Sequence, residues 1–194
     1  APWRDLTMRA MLSQAIKAAR LNRAVYGGLK DDVDAILHAL GAVILAGMAV
    51  GLGLMGVVVD LVEQPGELGS VVDRLLGLWI AIMAMLVGWI VWAAIIYVLG
   101  SRFLGGRAGY RIILRGLGIC YGPAVLLILL TVPLVGNPAS LIGAVWVLAA
   151  AVVATHEIQH MDWVGAVLAT APGWLIAFLV LPAFLIQLAP LDIG

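Results

Sequence analysis

The stretch GLGICYGPAVLLILLTVPLVGNPASLIGAVWVLAAAVVAT, residues 116–155, decides the fold class. Its 40 residues carry no charged side chain, and a water-soluble chain of this length has no interior large enough to hide such a run. A helix needs only about 20 residues to cross the hydrocarbon of a bilayer. The run therefore reads as two membrane passes, with Pro133, Gly136, Asn137, Pro138 and Ser140 forming the turn between them. Gly122 and Pro123 predict a kink near the start of the first of these helices, because proline removes an internal hydrogen bond and crowds the preceding turn.

Upstream, Leu75 to Gly100 is uncharged, contains Trp79, Trp89 and Trp92, and reads as a span, followed by a short basic loop from Arg102 to Arg115. Before it, Asp60 to Arg74 carries Asp60, Glu63, Pro65, Glu67 and Asp73 and reads as a solvent loop. The first span is placed from Val33 to Val59, with an uncharged core from Ala39. Gly47 and Gly51 give it a GxxxG spacing, which lets another helix approach closely. Downstream, the polar patch His156 to Asp162 leads into a fifth span from Trp163 to Leu188, with Pro172 and Pro182 as expected bends.

The segment before the first span has a different pattern. From Asp5 to Val25 the residues Leu6, Met8, Met11, Leu12, Ala15, Ile16, Ala19 and Leu21 recur at roughly helical spacing with basic residues between them, and Gly27 and Gly28 follow. This predicts an amphipathic helix lying in the membrane interface. It lacks the continuous apolar run and small-residue cleavage site of a secretory signal. Residues 1–32 hold six Lys and Arg, the loop after span two holds four, and the loop after span one holds only Arg74. With five spans the first two groups share one face, which the positive-inside rule makes cytoplasmic, so the expected location is the cell membrane with a cytoplasmic N-terminus.

Composition agrees with a lipid-solvated chain: 64% of the 194 residues are apolar and 11% charged. Basic and acidic residues balance at 11 each, so no overall field points to nucleic acid. Cys120 has no second cysteine to pair with and reads as a small core residue.

The run Gly105-Gly106-Arg107-Ala108-Gly109-Tyr110-Arg111, then Leu114-Arg115, Gly118, Tyr121-Gly122-Pro123, Pro133 and Trp146, resembles the central part of the Yip domain family, including its prokaryotic branch. The likeness extends over residues 20 to 190, with an acidic entrance to span one and a polar connector before span five. It implies a five-span membrane protein. Members of the family are named for interaction with Ypt/Rab GTPases, and the eukaryotic ones look like trafficking factors that bind small GTPases and one another.

One motif points elsewhere. His156-Glu157-Ile158-Gln159-His160 matches HExxH, in which two histidines one turn apart bind zinc and the glutamate acts as general base. A catalytic zinc also needs a third protein ligand. Downstream the chain offers Asp162 and, about one span away, Asp192. Asp34 and His38 stand at i, i+4 spacing at the same end of span one and complete the set of conceivable metal ligands. Polar residues cluster at helix ends for solvation alone, and a single histidine such as His38 does not define a haem or chlorin site. The adopted reading gives these residues no metal, Trp163 an interface role and Trp146 a packing role.

The sequence thus predicts an all-α polytopic bundle of about five transmembrane helices, with residues 1–32 as a cytoplasmic amphipathic segment and 33–190 as the membrane domain. The spans carry no Asp, Glu, Lys or Arg far from their ends, which removes the usual markers of proton or ion pathways. The expected function is a non-enzymatic scaffold or accessory subunit without catalytic residues or cofactor. Its expected partners are the lipid bilayer and other integral membrane proteins, with Gly47 and Gly51 as helix-packing residues. The alternatives are a zinc-dependent membrane peptidase using HEIQH and a small-molecule or lipid transporter.

Overall fold

The computed structural model describes Tyr26 and residues 34–54, 68–131 and 136–180. The expected amphipathic helix over 5–25, the turn residue Pro133, and Pro182 and Asp192 lie outside the described residues. The described chain forms α1 (Ala35–Leu54), α2 (Leu68–Phe103), α3 (Tyr110–Ile119), a tighter 3₁₀ segment (Gly122–Thr131), α4 (Gly136–Gln159) and α5 (Trp163–Leu175), which runs into one wide turn (Ile176–Val180). No strand occurs among the described residues.

Ala35–Gly53, Leu75–Phe103 and Pro138–Gln159 are each long and apolar enough to cross a membrane. α3 and the 3₁₀ segment reach that length only together, as a pair bent by 43°. The shorter apolar helix Trp163–Phe178 ends near the limit of the described residues. The protein is an integral membrane helix bundle. Contacts run from α5 to α2, α2 to α1, α1 to α3 and the 3₁₀ segment, these to α4, and α4 back to α5, so the elements close a ring.

The bend falls where glycine and proline stand. Pro123 has no amide hydrogen to give to Ile119, so the helical ladder fails there. The chain tightens instead: Cys120 N donates to Leu117 O at 3.0 Å, Tyr121 N to Gly118 O at 3.2 Å and Ala124 N to Tyr121 O at 2.9 Å. Three boundaries differ from the sequence expectation. α2 begins at Leu68, within the expected loop to Arg74. α3 begins at Tyr110, so Arg111 and Arg115 ride on a helix rather than a loop. α4 continues through Gln159, so most of the expected polar connector is helical. Apolarity sets where the hydrocarbon begins and ends. A helix continues past that limit wherever its backbone bonds can, and α3, with the sharpest division of polar from apolar faces among the described helices, does so at the interface.

Alanines make up much of the inside, packed around a few large buried side chains such as Trp92, Ile96 and Tyr121. Ala35, Ala39, Ala46, Ala150, Ala151, Ala154, Ala166 and Ala169 are buried, while Leu37, Met48, Leu76, Trp79, Leu141, Val164 and Leu168 point outward. In lipid an exposed leucine costs nothing, and small interior side chains let helices approach and gain dispersion contacts. Gly47 and Gly51 serve that purpose within the chain: a Cβ on Gly47 would stand 2.9 Å from the Ile82 Cα, and one on Gly51 would stand 2.8 Å from a Leu78 methyl. The close approach is to the chain's own α2, and the glycine face of α1 is already covered. Cys120 is buried as expected; its thiol donates to Gly116 O at 3.1 Å and meets the Tyr26 hydroxyl at 3.4 Å.

Candidate functional site

The polar features converge where α2 ends, residues 104–109 cross over, α4 ends and α5 begins. Gln159 stands at the centre and is fully buried. Its Nε2 donates to the Ile96 carbonyl at 3.0 Å, which joins the last turn of α4 to α2. A Cβ on Gly100 would collide with Gln159 Nε2, and one on Gly106 would collide with Gln159 Oε1. Both positions must therefore be glycine for the amide to fit. Gly105 supplies the turn between them with φ +72°, a left-handed conformation open to glycine without a Cβ penalty. The backbone folds around the amide: Gly106 N donates to Gly100 O at 2.8 Å and Arg107 N to Gln159 O at 3.3 Å. The Gly105-Gly106-Arg107 part of the family-like motif is thus a backbone clasp around one side chain.

The HEIQH residues occupy the same junction and separate there. His156 and Glu157 lie in the last turn of α4, which stops at Gln159. His160 follows with φ 54°, the one described non-glycine residue with positive φ. Zinc chelation by HExxH needs both histidines on one face of a continuous helix. Here the helix has ended before the second one arrives. His156 instead stacks on Trp163, ring centroids 4.0 Å apart and planes 13° from parallel, while its Nε2 lies 3.9 Å from Glu157 Oε1. Asp162 caps α5, its Oδ1 accepting the Gly165 amide at 3.3 Å. Among the described residues no three of His, Cys, Asp and Glu gather closely enough to hold a metal ion.

The other candidates are spread through the bundle. His38 is buried in α1 with its Nδ1 lacking a partner among the described residues. Asp34, just before α1, accepts the His38 amide at its backbone carbonyl, 3.1 Å away. Trp163 stands partly exposed at the junction, and Trp146 stands partly exposed on the outer side of α4.

The residues that tie the helices together are ones the sequence did not single out for that role. Trp89 Nε1 donates to Leu114 O at 3.0 Å, Trp92 Nε1 to Thr170 O at 2.9 Å and Trp174 Nε1 to Ala144 O at 2.8 Å, linking α2 to α3, α2 to α5 and α5 to α4. The Thr170 hydroxyl lies 3.1 Å from that of Thr155 and donates to Ala166 O at 2.6 Å. Their signal was available in principle, since an indole N–H in hydrocarbon must find an acceptor. Which acceptor it finds depends on the ring order of the helices.

The Yip1 domain family matches residues 22–185 of the chain. No curated protein and no solved structure shows significant similarity to it. The matched region covers every described residue, including the Gly105-Gly106-Arg107 clasp and the bend at Gly122-Pro123, and the chain belongs to the Yip1 domain family.

Proposed function

We propose that the protein is a non-enzymatic scaffold or accessory subunit of the cell membrane that binds other integral membrane proteins. The observation that supports this reading is how the polar groups are used. Gln159, Thr155, Thr170 and the three donating tryptophans join helix to helix. Large apolar side chains form the outer surface, where recognition in lipid works by shape and packing. No Asp, Glu, Lys or Arg whose side chain is described is buried, which gives a proton or ion pathway no carrier among them. The peptidase alternative loses its support where His160 leaves the helix.

Gentle detergent extraction of the full chain, followed by identification of whatever co-purifies, tests the proposal. One or a few integral membrane proteins in near-stoichiometric yield are expected. A lone protein with a hydrolytic activity that disappears in Glu157→Gln would overturn it. The accompanying topology has the basic N-terminal segment and the arginines at 102–115 on the cytoplasmic side. Single cysteines placed at Ala10 and Leu104 should react with an impermeant reagent from the same face, and reaction from opposite faces would refute that arrangement.

A further inference from the structure

An open, wholly apolar groove of about 430 Å³ runs along the outside of the bundle between α2 and α5, lined by Val91, Ile95, Val98, Leu99, Pro172 and Ile176. Its size falls within the range of small-ligand sites. Ala94, the smallest of its lining residues, is half-buried on the α2 side, and α5 is irregular on the other. Pro172 cannot donate to Leu168, and the helix widens at Ile176–Val180.

The helical register links this groove to a charge. Residues 91, 94, 95, 98 and 99 recur at three and four and so form one stripe of α2, roughly 12 Å long from first to last. The next position on the stripe is Arg102, exposed in the last turn of α2. From Arg102 to Arg115 the chain carries four arginines and no acidic residue. An apolar channel whose stripe continues into an exposed arginine at the end of the span complements a molecule with an apolar chain and an anionic head.

We propose that the α2–α5 groove is a binding site for one anionic phospholipid, with an acyl chain lying against the stripe from Val91 to Leu99 and the phosphate-bearing headgroup held by Arg102. A zwitterionic lipid fits the same channel but gains less at its head, because its own cation offsets the attraction. A planar guanidinium also suits phosphate oxygens better than a point charge does.

The full-length protein, stripped of lipid in mild detergent, is titrated with phosphatidylglycerol and with phosphatidylcholine of identical acyl chains, and bound lipid is counted by native mass spectrometry. One phosphatidylglycerol should be retained about fivefold more tightly than phosphatidylcholine, the effect of one basic residue at a membrane surface. Arg102→Gln should remove that preference, weakening phosphatidylglycerol far more than phosphatidylcholine. Ala94→Leu, which puts a larger side chain among the lining residues, should weaken both lipids. Arg111→Gln should keep the preference, and glycerol phosphate, which has no chains, should not compete. Equal retention of the two lipids by the wild type would overturn the proposal. So would an unchanged preference in Arg102→Gln, or an equal loss in Arg111→Gln, which would assign the effect to general surface charge. A co-purifying membrane protein that shields a cysteine placed at Val98 would assign the groove to a partner's helix and would also overturn it. Because Arg102 is exposed, its variant keeps the test decisive even if Ala94→Leu does not fold.

Discussion

The contact between α1 and α2 and the junction around Gln159 both depend on glycine, but they use it differently. At Gly47 and Gly51, one turn apart, the missing side chains let two helices lie close, and the gain is dispersion spread over many weak contacts. At Gly100 and Gly106 the missing side chains make a slot for one amide, whose hydrogen bond to Ile96 is directional. A diffuse interface can slide by a few tenths of an ångström when challenged. A slot around a single side chain has no such freedom, since the Gly105 turn and two backbone hydrogen bonds fix its walls. Two glycine interfaces in one bundle should therefore tolerate substitution very unequally.

The largest effect is expected at the slot. Gly106→Ala places a Cβ against the Gln159 side-chain amide oxygen Oε1 and should cost about 3 kcal/mol, the upper part of the usual range for overpacking. Adding Gln159→Ala removes the obstacle and should recover a large part of that loss. Thermal unfolding in detergent of both single variants and the double variant measures the coupling, and simple additivity would mean that the slot is not what constrains Gly106.

At the diffuse interface the two glycines should differ from each other. A Cβ on Gly47 meets the Ile82 backbone at 2.9 Å, whereas one on Gly51 meets first the end of the Leu78 side chain, which can rotate away, and then the Ala81 Cβ at 3.2 Å and the Leu78 Cα at 3.3 Å. Gly47→Ala should cost about 1–2 kcal/mol and Gly51→Ala less than about 1 kcal/mol. The same unfolding measurement decides it. The reverse order would show that α1 and α2 meet at another register.

A smaller loss should follow removal of one interhelical hydrogen bond. Trp92→Phe keeps most of the ring packing against Tyr121 and Phe178 but deletes the donor to Thr170 O, and it should cost about 1 kcal/mol. The smallest effect belongs to the motif that looked most like chemistry. Glu157→Gln should leave stability and any activity at the wild-type level, and metal analysis of the purified protein should find less than one zinc per chain. One equivalent of zinc that persists through a chelator wash would reverse the reading of HEIQH.

These contrasts also show which parts of the structure were readable in the sequence. The membrane class, the spans at Ala35–Gly53, Leu75–Phe103 and Pro138–Gln159, and the bend at Gly122-Pro123 follow from length and proline chemistry, and the structure has them there. The faces of the helices do not follow. When Ala39 points inward and Leu37 outward, both are apolar, and the polarity pattern that orients a soluble helix is absent. Gln159 sat unread inside HEIQH because the motif directs attention to the residues on either side of it. The i, i+4 rule then brought His156 and His160 together by assuming a helix that ends one residue too soon. The slot itself needed three separate stretches, around Gly100, Gly106 and Gln159, to be known as neighbours.

The buried thiol of Cys120 gives the molecule a built-in clock. It is the chain's single cysteine, it has no exposed surface, and the Tyr26 hydroxyl rests against it. A small alkylating reagent can reach it only while the bundle is open around that point, so at reagent concentrations high enough to outpace reclosing the rate of modification counts openings per unit time. Because Cys120 stands at the bend where α3 meets the 3₁₀ segment, such openings sample the loosening of that bend from α1 and the helices packed around it. A mass shift on one residue thus follows, in a membrane and without denaturant, an event that for soluble domains usually requires hydrogen exchange.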